Sequence, residues 1–329
     1  MKTKQLEQKQ RELEKLRDRI RAKGYSLETE RSYIPAVSKY IDFLCSRSWP
    51  VGFATERKVE AFLTAEAKRG VAASTQDAKL HAILFYYLHI RQTPLENVNA
   101  LRAKKGDHVR QAPFRADTEK LIMAVADSGA YPTRLICHLI YACGLRLTET
   151  LSIRLKDIDL AAGRLTIVGG KGKKDRFINL TPSLIPRLAQ QVQAAEVIHR
   201  KALLEGVPVK LPHLYAKKNP QAAHQRRWFW LFPQIQPCDD PRGHGRVWWH
   251  CHPKTVQRAM LAANRRAGTE GITPHHLRHA WATYAHANGA HLRDLQEILG
   301  HKNVETTARY VRPDPERVPS PFESLHLVA

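Results

Sequence analysis

Along the first hundred residues, apolar side chains return at helical spacing between charged ones. Leu6, Leu13, Leu16 and Ile20 keep that spacing from Lys4 to Lys23, and Gly24 marks a stop. Fewer than three heptads are present, so the segment reads as a polar helix that is solvated or faces DNA rather than as a coiled coil. Tyr33, Val37, Tyr40, Ile41 and Leu44 form a second stripe behind start signals at Ser26 to Glu30. Val59, Phe62 and Leu63 mark a third helix ended by Gly70. Leu80, Ile83, Leu84, Tyr87 and Leu88 give a fourth its buried face, with Ser74 and Asp77 as a capping box and Pro94 as the close. With no strand signal among them, these predict a small all-α unit over residues 1–96.

Periodicity lapses over 97–116, where Arg102, Lys104, Lys105, Arg110 and Arg115 gather around Gly106 and Pro113, as in a basic linker. The remainder, 117–329, mixes element types. Leu121, Ile122 and Val125 suggest one helix, and Leu135, Ile136, Leu139, Ile140 and Cys143 a second that stops at Gly144. Two β-rich runs, Leu165 to Val168 and Arg176 to Leu180, flank a tip loaded with Lys171, Lys173 and Lys174, which predicts a hairpin. Thr181-Pro182 opens a long helix in which Leu184, Leu188, Val192 and Ile198 stay in register, with Thr as N-cap and Pro in the first turn. From about 252 the pattern is again helical, punctuated by Gly268, Gly289 and Gly300, and it trails into prolines at 313, 315, 319 and 321. The expected fold is mainly α with a small antiparallel β-sheet, in two domains.

Composition narrows the function. Fifty-three Lys and Arg against 31 Asp and Glu leave a formal +22, so polyanions are the expected partners. The most hydrophobic run, Leu80 to Ile90, is broken by His81 and His89 and is too short for a membrane span. The charged N-terminus has no apolar signal segment, and a cytoplasmic location is expected. Five scattered cysteines do not frame a disulfide scaffold. Cys238, His244, His250, Cys251 and His252 match no zinc spacing with two close pairs, so no metal is expected there.

Four islands in the second half could carry chemistry: Gly144-Leu145-Arg146-Leu147-Thr148-Glu149, the Lys171 hairpin, His275-His276-Leu277-Arg278-His279, and Leu299-Gly300-His301 followed by Tyr310. Singly each is ordinary. An Arg after a helix stop is usually a cap or an ion-pair partner, a Gly-Lys turn is a solvated tip, and His275 and Arg278 merely share a helical face. Together they suit a phosphodiester. Two arginines can grip its oxygens and neutralise the charge that develops on phosphorus, and histidines can donate to the same oxygens. A tyrosine hydroxyl can attack, and a hairpin lysine can protonate the leaving 5'-oxygen.

The ordered set Gly-Leu-Arg-x-x-Glu, Gly-Lys-Gly, His-x-Leu-Arg-His, Leu-Gly-His and a tyrosine nine positions on resembles the tyrosine recombinases, the phage-integrase superfamily, from about residue 25 to the end. The resemblance implies a helical SAM-like core-binding domain and a mixed α+β catalytic domain that close around DNA. It also implies strand exchange through a covalent 3'-phosphotyrosine, with no cofactor. By position, Arg146 and Arg278 correspond to the catalytic arginines, Lys171 to the general acid, His275 and His301 to the two histidines and Tyr310 to the nucleophile, with Glu149 supporting Arg146. Lys173, Lys174 and Arg110 are further candidates for contact with DNA, and relatives act as tetramers that exchange C-terminal segments.

More narrowly, the chain is similar to the integron integrases, which carry an inserted segment here expected at about 206–250. Leu211 to Pro233, ending Arg227-Trp228-Phe229-Trp230-Leu231-Phe232-Pro233, looks like it. In those relatives the insertion grips unpaired bases of a folded single-stranded site, and Trp228, Pro241 and His250 are the candidates by position. Trp228 and Trp230 also alternate as on a strand, which would suit a core. Alternatives are a recombinase acting on duplex DNA in the manner of Xer or phage enzymes, a type IB topoisomerase-like enzyme, and an inactive DNA-binding protein.

Overall fold

In the computed structural model, which describes residues 2–99, 112–169, 175–243, 245–269, 271–301 and 304–308, the chain divides into two units, Met1–His108 and Val109–Ala329. The N-terminal unit holds α1 (Lys2–Ala22), α2 (Leu27–Cys45), α3 (Thr55–Lys68) and α4 (Ala73–Tyr86). Ser26 starts α2 by accepting a hydrogen bond from the Thr29 amide at 3.1 Å. Leu16, Ile20, Val37, Tyr40, Val59, Leu80 and Ile83 pack into one core. Charges that reach this core are paired: Arg21 bonds Glu30 at 2.8 Å, and Glu66 accepts from both Lys79 and Arg69.

Three local expectations are corrected here. The first helix is not merely solvated, because Leu16 and Ile20 are fully buried while Leu6 stays exposed. Its narrow stripe is enough to pack against α2. Ser74 does not cap α4; Ala72 takes that position, so Ser74 falls inside the first turn. Pro94 does not end the helix either. A single π turn, Tyr87–Arg91, follows α4 and stops at Gln92, whose φ is +56°. That turn seats the Tyr87 hydroxyl 3.0 Å from the hydroxyl of Tyr40.

The C-terminal unit begins with α5 (Arg115–Ala124), α6 (Thr133–Cys143) and the short α7 (Leu147–Leu151). A three-stranded antiparallel sheet follows, β1 (Ile158–Asp159), β2 (Arg164–Ile167) and β3 (Arg176–Asn179), in that order. Leu165 pairs with Ile178 and Ile167 with Arg176, which turns Leu165, Ile167 and Ile178 inward and leaves Phe177 exposed. The two-residue β1 had no sequence signal, since its neighbour β2 defines it. Thr181 makes no side-chain cap. Pro182–Leu184 form a 3-10 turn, and only then does α8 (Ile185–Leu204) begin.

After α9 (His213–Lys218) come a small pair, β4 (Cys238–Asp239) and β5 (Arg246–Val247), and then α10 (Pro253–Ala267), α11 (Pro274–Ala287), α12 (Leu292–Leu299) and α13 (Val304–Ala308). Trp228 ends a 3-10 turn rather than lying on a strand, whereas Phe229, Trp230, Leu231 and Phe232 are buried in the main core. The Leu231 amide bonds the Ile153 carbonyl at 2.8 Å, and the Leu155 amide bonds the Phe229 carbonyl at 2.9 Å. The segment 206–250 is therefore stitched onto the chain that leaves α7.

Candidate active site

The site starts at a helix stop. α6 ends at Gly144, whose φ is +62°, and a Cβ there would come within 2.5 Å of the Trp281 ring, so the position requires glycine. The chain then turns to set Arg146 at the N-cap of α7, and Glu149, one turn on, reaches back to it. The Glu149 carboxylate accepts from the Arg146 amide at 2.9 Å and from its Nη1 at 2.8 Å. From the sheet, Arg176 donates through Nη2 to the same carboxylate at 2.8 Å and through Nε to the Ile298 carbonyl at 2.6 Å.

Arg278 arrives on α11 and is only 1% exposed. Its guanidinium donates to the carbonyls of Gly144 at 2.7 Å and Leu299 at 2.6 Å, and it lies 3.6 Å from Glu149. Arg146 Nη1 reaches the same Leu299 carbonyl at 3.2 Å, so the two arginines share one acceptor. Gly300 ends α12 with φ +62° and delivers His301. The Nε2 of His301 stands 3.0 Å from Arg278 Nη2, and because a guanidinium can only donate, Nε2 accepts. The ring proton is thereby left on Nδ1, which donates to Thr307 Oγ1 at 2.9 Å.

Three guanidinium groups against one carboxylate give the site a cationic excess. Burial alone would raise the Glu149 carboxyl; hydrogen bonds from Arg176 and the Arg146 amide, with the charges of both arginines, overcome it and hold it at about 2. Burial, then the charges of Arg278 and Arg146, pull His301 down to about 4, so it is neutral at pH 7. Arg146 is the arginine that opens outward, with 34% of its side chain exposed. Such a cluster suits a bound oxyanion.

Of the remaining residues picked out by sequence, His275 stands exposed in the first turn of α11, three residues before Arg278. Next to Arg278, His279 is buried, and burial followed by the charges of His275 and His276 brings it to about 4. Lys171, Lys173, Lys174, Arg110 and Tyr310 lie outside the described residues. At the base of the hairpin the Gly169 amide bonds the Asp175 carboxylate at 2.8 Å.

The base-binding candidates differ in exposure. Trp228 is half-buried, Pro241 stands exposed in the turn between β4 and β5, and His250 packs edge-on against Trp230 at 5.2 Å. Two residues near them carried no sequence signal. Arg154 lies buried over the Trp230 ring at 3.7 Å, donates to the carbonyls of Trp228 and Lys210, and is lowered to about 10 by burial. Lys156 sits 4.9 Å from the Trp228 centroid. Glu149, Lys156, Val168, Pro212, Trp228 and Trp230 border a cavity of about 370 Å³. Arg176 also escaped the sequence reading; its place beside the lysine-rich tip was its one clue.

The sequence pattern of the phage integrase family matches residues 114–317, and that of the phage integrase N-terminal SAM-like domain matches residues 13–97. An integrase/recombinase of Escherichia coli is 36% identical over 301 residues, covering 91% of this chain and 88% of the relative. The tyrosine recombinase XerD of Agrobacterium fabrum is 27% identical, covering 93% of this chain and 91% of the relative. Among solved structures, the fold is similar to a lambda integrase dimer bound to a COC' core site, with a TM-score of 0.58 and 16% identity over 92% of this chain and 94% of that one. It is also similar to the XerH site-specific recombinase bound to palindromic difH substrate, with a TM-score of 0.57 and 20% identity over 88% and 77%. No helix among the described residues is long and apolar enough to cross a membrane. With its SAM-like N-terminal domain and mixed catalytic domain, this chain belongs to the phage integrase family of tyrosine recombinases, enzymes that break and rejoin DNA.

Proposed function

We propose that this protein is a site-specific DNA recombinase whose Tyr310 hydroxyl attacks a phosphodiester to form a 3'-phosphotyrosine. Arg146 and Arg278 hold the non-bridging oxygens, His275 and His301 assist them, and Lys171 protonates the leaving 5'-oxygen. The observation that carries the reading is the sharing of the Leu299 carbonyl by Arg146 and Arg278, with His301 two residues on. An entering phosphate competes for donors already gathered at one point, so little reorganisation is needed. Lys173, Lys174 and Arg110 add charge for the backbone of DNA.

We further propose integron-type recombination on a folded single-stranded site, by a homotetramer that exchanges C-terminal segments on paired sites. The segment 206–250 supports this, since it presents half-buried Trp228 to a cavity bordered also by Lys156 and Glu149, and an aromatic face can stack on an unpaired base for about 1–3 kcal/mol. A Xer-type reaction on duplex DNA is the second reading, favoured by relatives named XerD and XerA.

A capture experiment separates them. The protein is incubated with two random-sequence DNA pools, one of hairpins with extrahelical bases and one fully duplex, and covalent adducts are recovered after detergent denaturation. Enrichment from the hairpin pool is expected. Adducts from the duplex pool alone reject the integron reading, and adducts formed by Tyr310→Phe reject the nucleophile. Relaxation of supercoils with no exchange between captured sites would mark a topoisomerase instead.

A further inference from the structure

Glu149 carries more than the support of one arginine. Its Oε1 takes Arg146 Nη1, while its Oε2 takes both the Arg146 amide and Arg176 Nη2. The Nε–H beside that Nη2, on the same edge of the Arg176 guanidinium, is bound as well, to the Ile298 carbonyl. Ile298 directly precedes Leu299, whose carbonyl receives Arg146 and Arg278, and His301 follows two residues later. Gly300 backs onto the same group, and a Cβ there would lie 3.2 Å from Arg176 Nη1. Arg176 thus touches both halves of the site, and it does so from β3, the strand that leaves the lysine-bearing tip.

We propose that Arg176 is a positioning residue for strand cleavage, one that sets the Glu149 carboxylate against Arg146 and fixes the end of α12 that carries Leu299 and His301. It acts through these partners and does not itself meet the phosphate. Its side chain is 13% exposed, two of its nitrogens are committed to protein acceptors, and Arg146 is the more open of the two. A planar fork is the chemistry this needs, because one rigid edge, Nε–H beside Nη2–H, must hold a carbonyl and a carboxylate side by side. Lysine gathers its three donors on one atom and lacks the rigid edge that fixes the spacing of the two acceptors. Without Arg176, Oε2 keeps, among the described residues, only the Arg146 amide and the 3.6 Å approach of Arg278. The carboxylate is then free to turn toward Arg278 and release the plane of Arg146.

This inference rests on Arg146 and Arg278 gripping the reacting phosphate, and its test is built to fail separately from that reading. Full-length Arg176→Gln, Arg176→Lys, Arg146→Lys and the Arg176→Gln/Arg146→Lys double variant are compared with the parent. The substrate is the oligonucleotide that the parent captures, duplex or folded. Expected for Arg176→Gln is DNA affinity within about twofold of the parent and a single-turnover cleavage rate about 10–100-fold lower, the range found when the outer partner of a site ligand is removed. Its acid limb moves to higher pH, because Glu149 has lost the hydrogen bond that most favours its ionised form. Arg176→Lys recovers part of the rate. The double variant is less than about threefold slower than Arg146→Lys alone, because residues acting through one another are not additive.

Unchanged cleavage, a loss confined to affinity, or rate losses that multiply in the double variant would each overturn the proposal. One readout needs no DNA: acid titration of the Glu149 carboxyl carbon by NMR on labelled protein. It moves upward in Arg176→Gln, and in Arg176→Lys should the glutamine variant not fold. An unmoved titration sinks the positioning role even if the parent captures no DNA, whereas the absence of any parental adduct sinks only the functional reading.

Discussion

Replacing Glu149 by glutamine keeps the shape of the side chain and removes the one negative charge that three guanidinium groups face. The folded protein holds this carboxyl at about 2 against an ordinary 4.5. At about 1.4 kcal/mol per unit, that difference corresponds to about 3 kcal/mol of stabilisation of the ionised form. The side chain is 16% exposed, so solvent screening takes little of it. Because the folded value is depressed, the contribution is fully present above about pH 4.5 and is lost as pH falls toward 2. Glutamine also turns one acceptor into an amide donor aimed at an arginine. At pH 7, Glu149→Gln is therefore expected to lose about 3 kcal/mol in urea unfolding, or about 6–12 °C in melting temperature for a unit of this size. Tryptophan fluorescence reports the correct unit, since Trp228, Trp230, Trp248, Trp249 and Trp281 all lie in Val109–Ala329 and only Trp49 lies outside it. A loss below about 0.5 kcal/mol, the ordinary range for a surface change, would refute the argument. So would a gap between the two proteins that fails to narrow from pH 4.5 to 3.

Three further outcomes follow from the same geometry. Gly144→Ala combines a left-handed φ of +62° with a Cβ 2.5 Å from Trp281, and is expected to cost at least about 2 kcal/mol in urea unfolding while displacing a carbonyl that Arg278 uses. Arg154→Met keeps the stem over Trp230 but strips donors from the Trp228 and Lys210 carbonyls; limited proteolysis should then cut within 206–250 several times faster, and an unchanged rate would show that Arg154 does not hold the segment. His279 is 5% exposed and lowered from 6.5 to about 4, so its neutral form supports the fold above pH 6.5 and that support drains as pH falls to 4, about 3 kcal/mol in all. Urea midpoints across this window should fall more steeply in the parent than in His279→Asn, and parallel curves would argue against the assignment.

What the sequence made legible was local. The Gly144 stop and the Gly300 turn into His301 each span one helical turn or less, so spacing exposes them; the reach of Glu149 back to Arg146 is as short, and the family resemblance implies it. The β-rich runs that predict β2 and β3 are also local, and their pairing follows from the short tip between them. Where several local signals compete, reading fails: Ser74 and Asp77 resemble a cap, but the helix gains two residues by starting at Ala73. Arg176 was hidden for a different reason. Its partners lie 27 and 122 residues away, and one of them is a main-chain carbonyl.

That last point reaches the centre of the site. The group on which Arg146 and Arg278 meet is the carbonyl of Leu299, a feature that every residue carries and no side-chain pattern can announce. A sequence can therefore name the cations and remain silent on what gathers them. The gathering depends on a helix end, because the last carbonyls of a helix have no partner within it and carry its negative pole. α12 stops at Gly300, which frees the Ile298 and Leu299 carbonyls for three guanidinium groups. Any substitution that prolongs α12 past Gly300 would draw those carbonyls back into the helix and scatter the arginines without touching one of them.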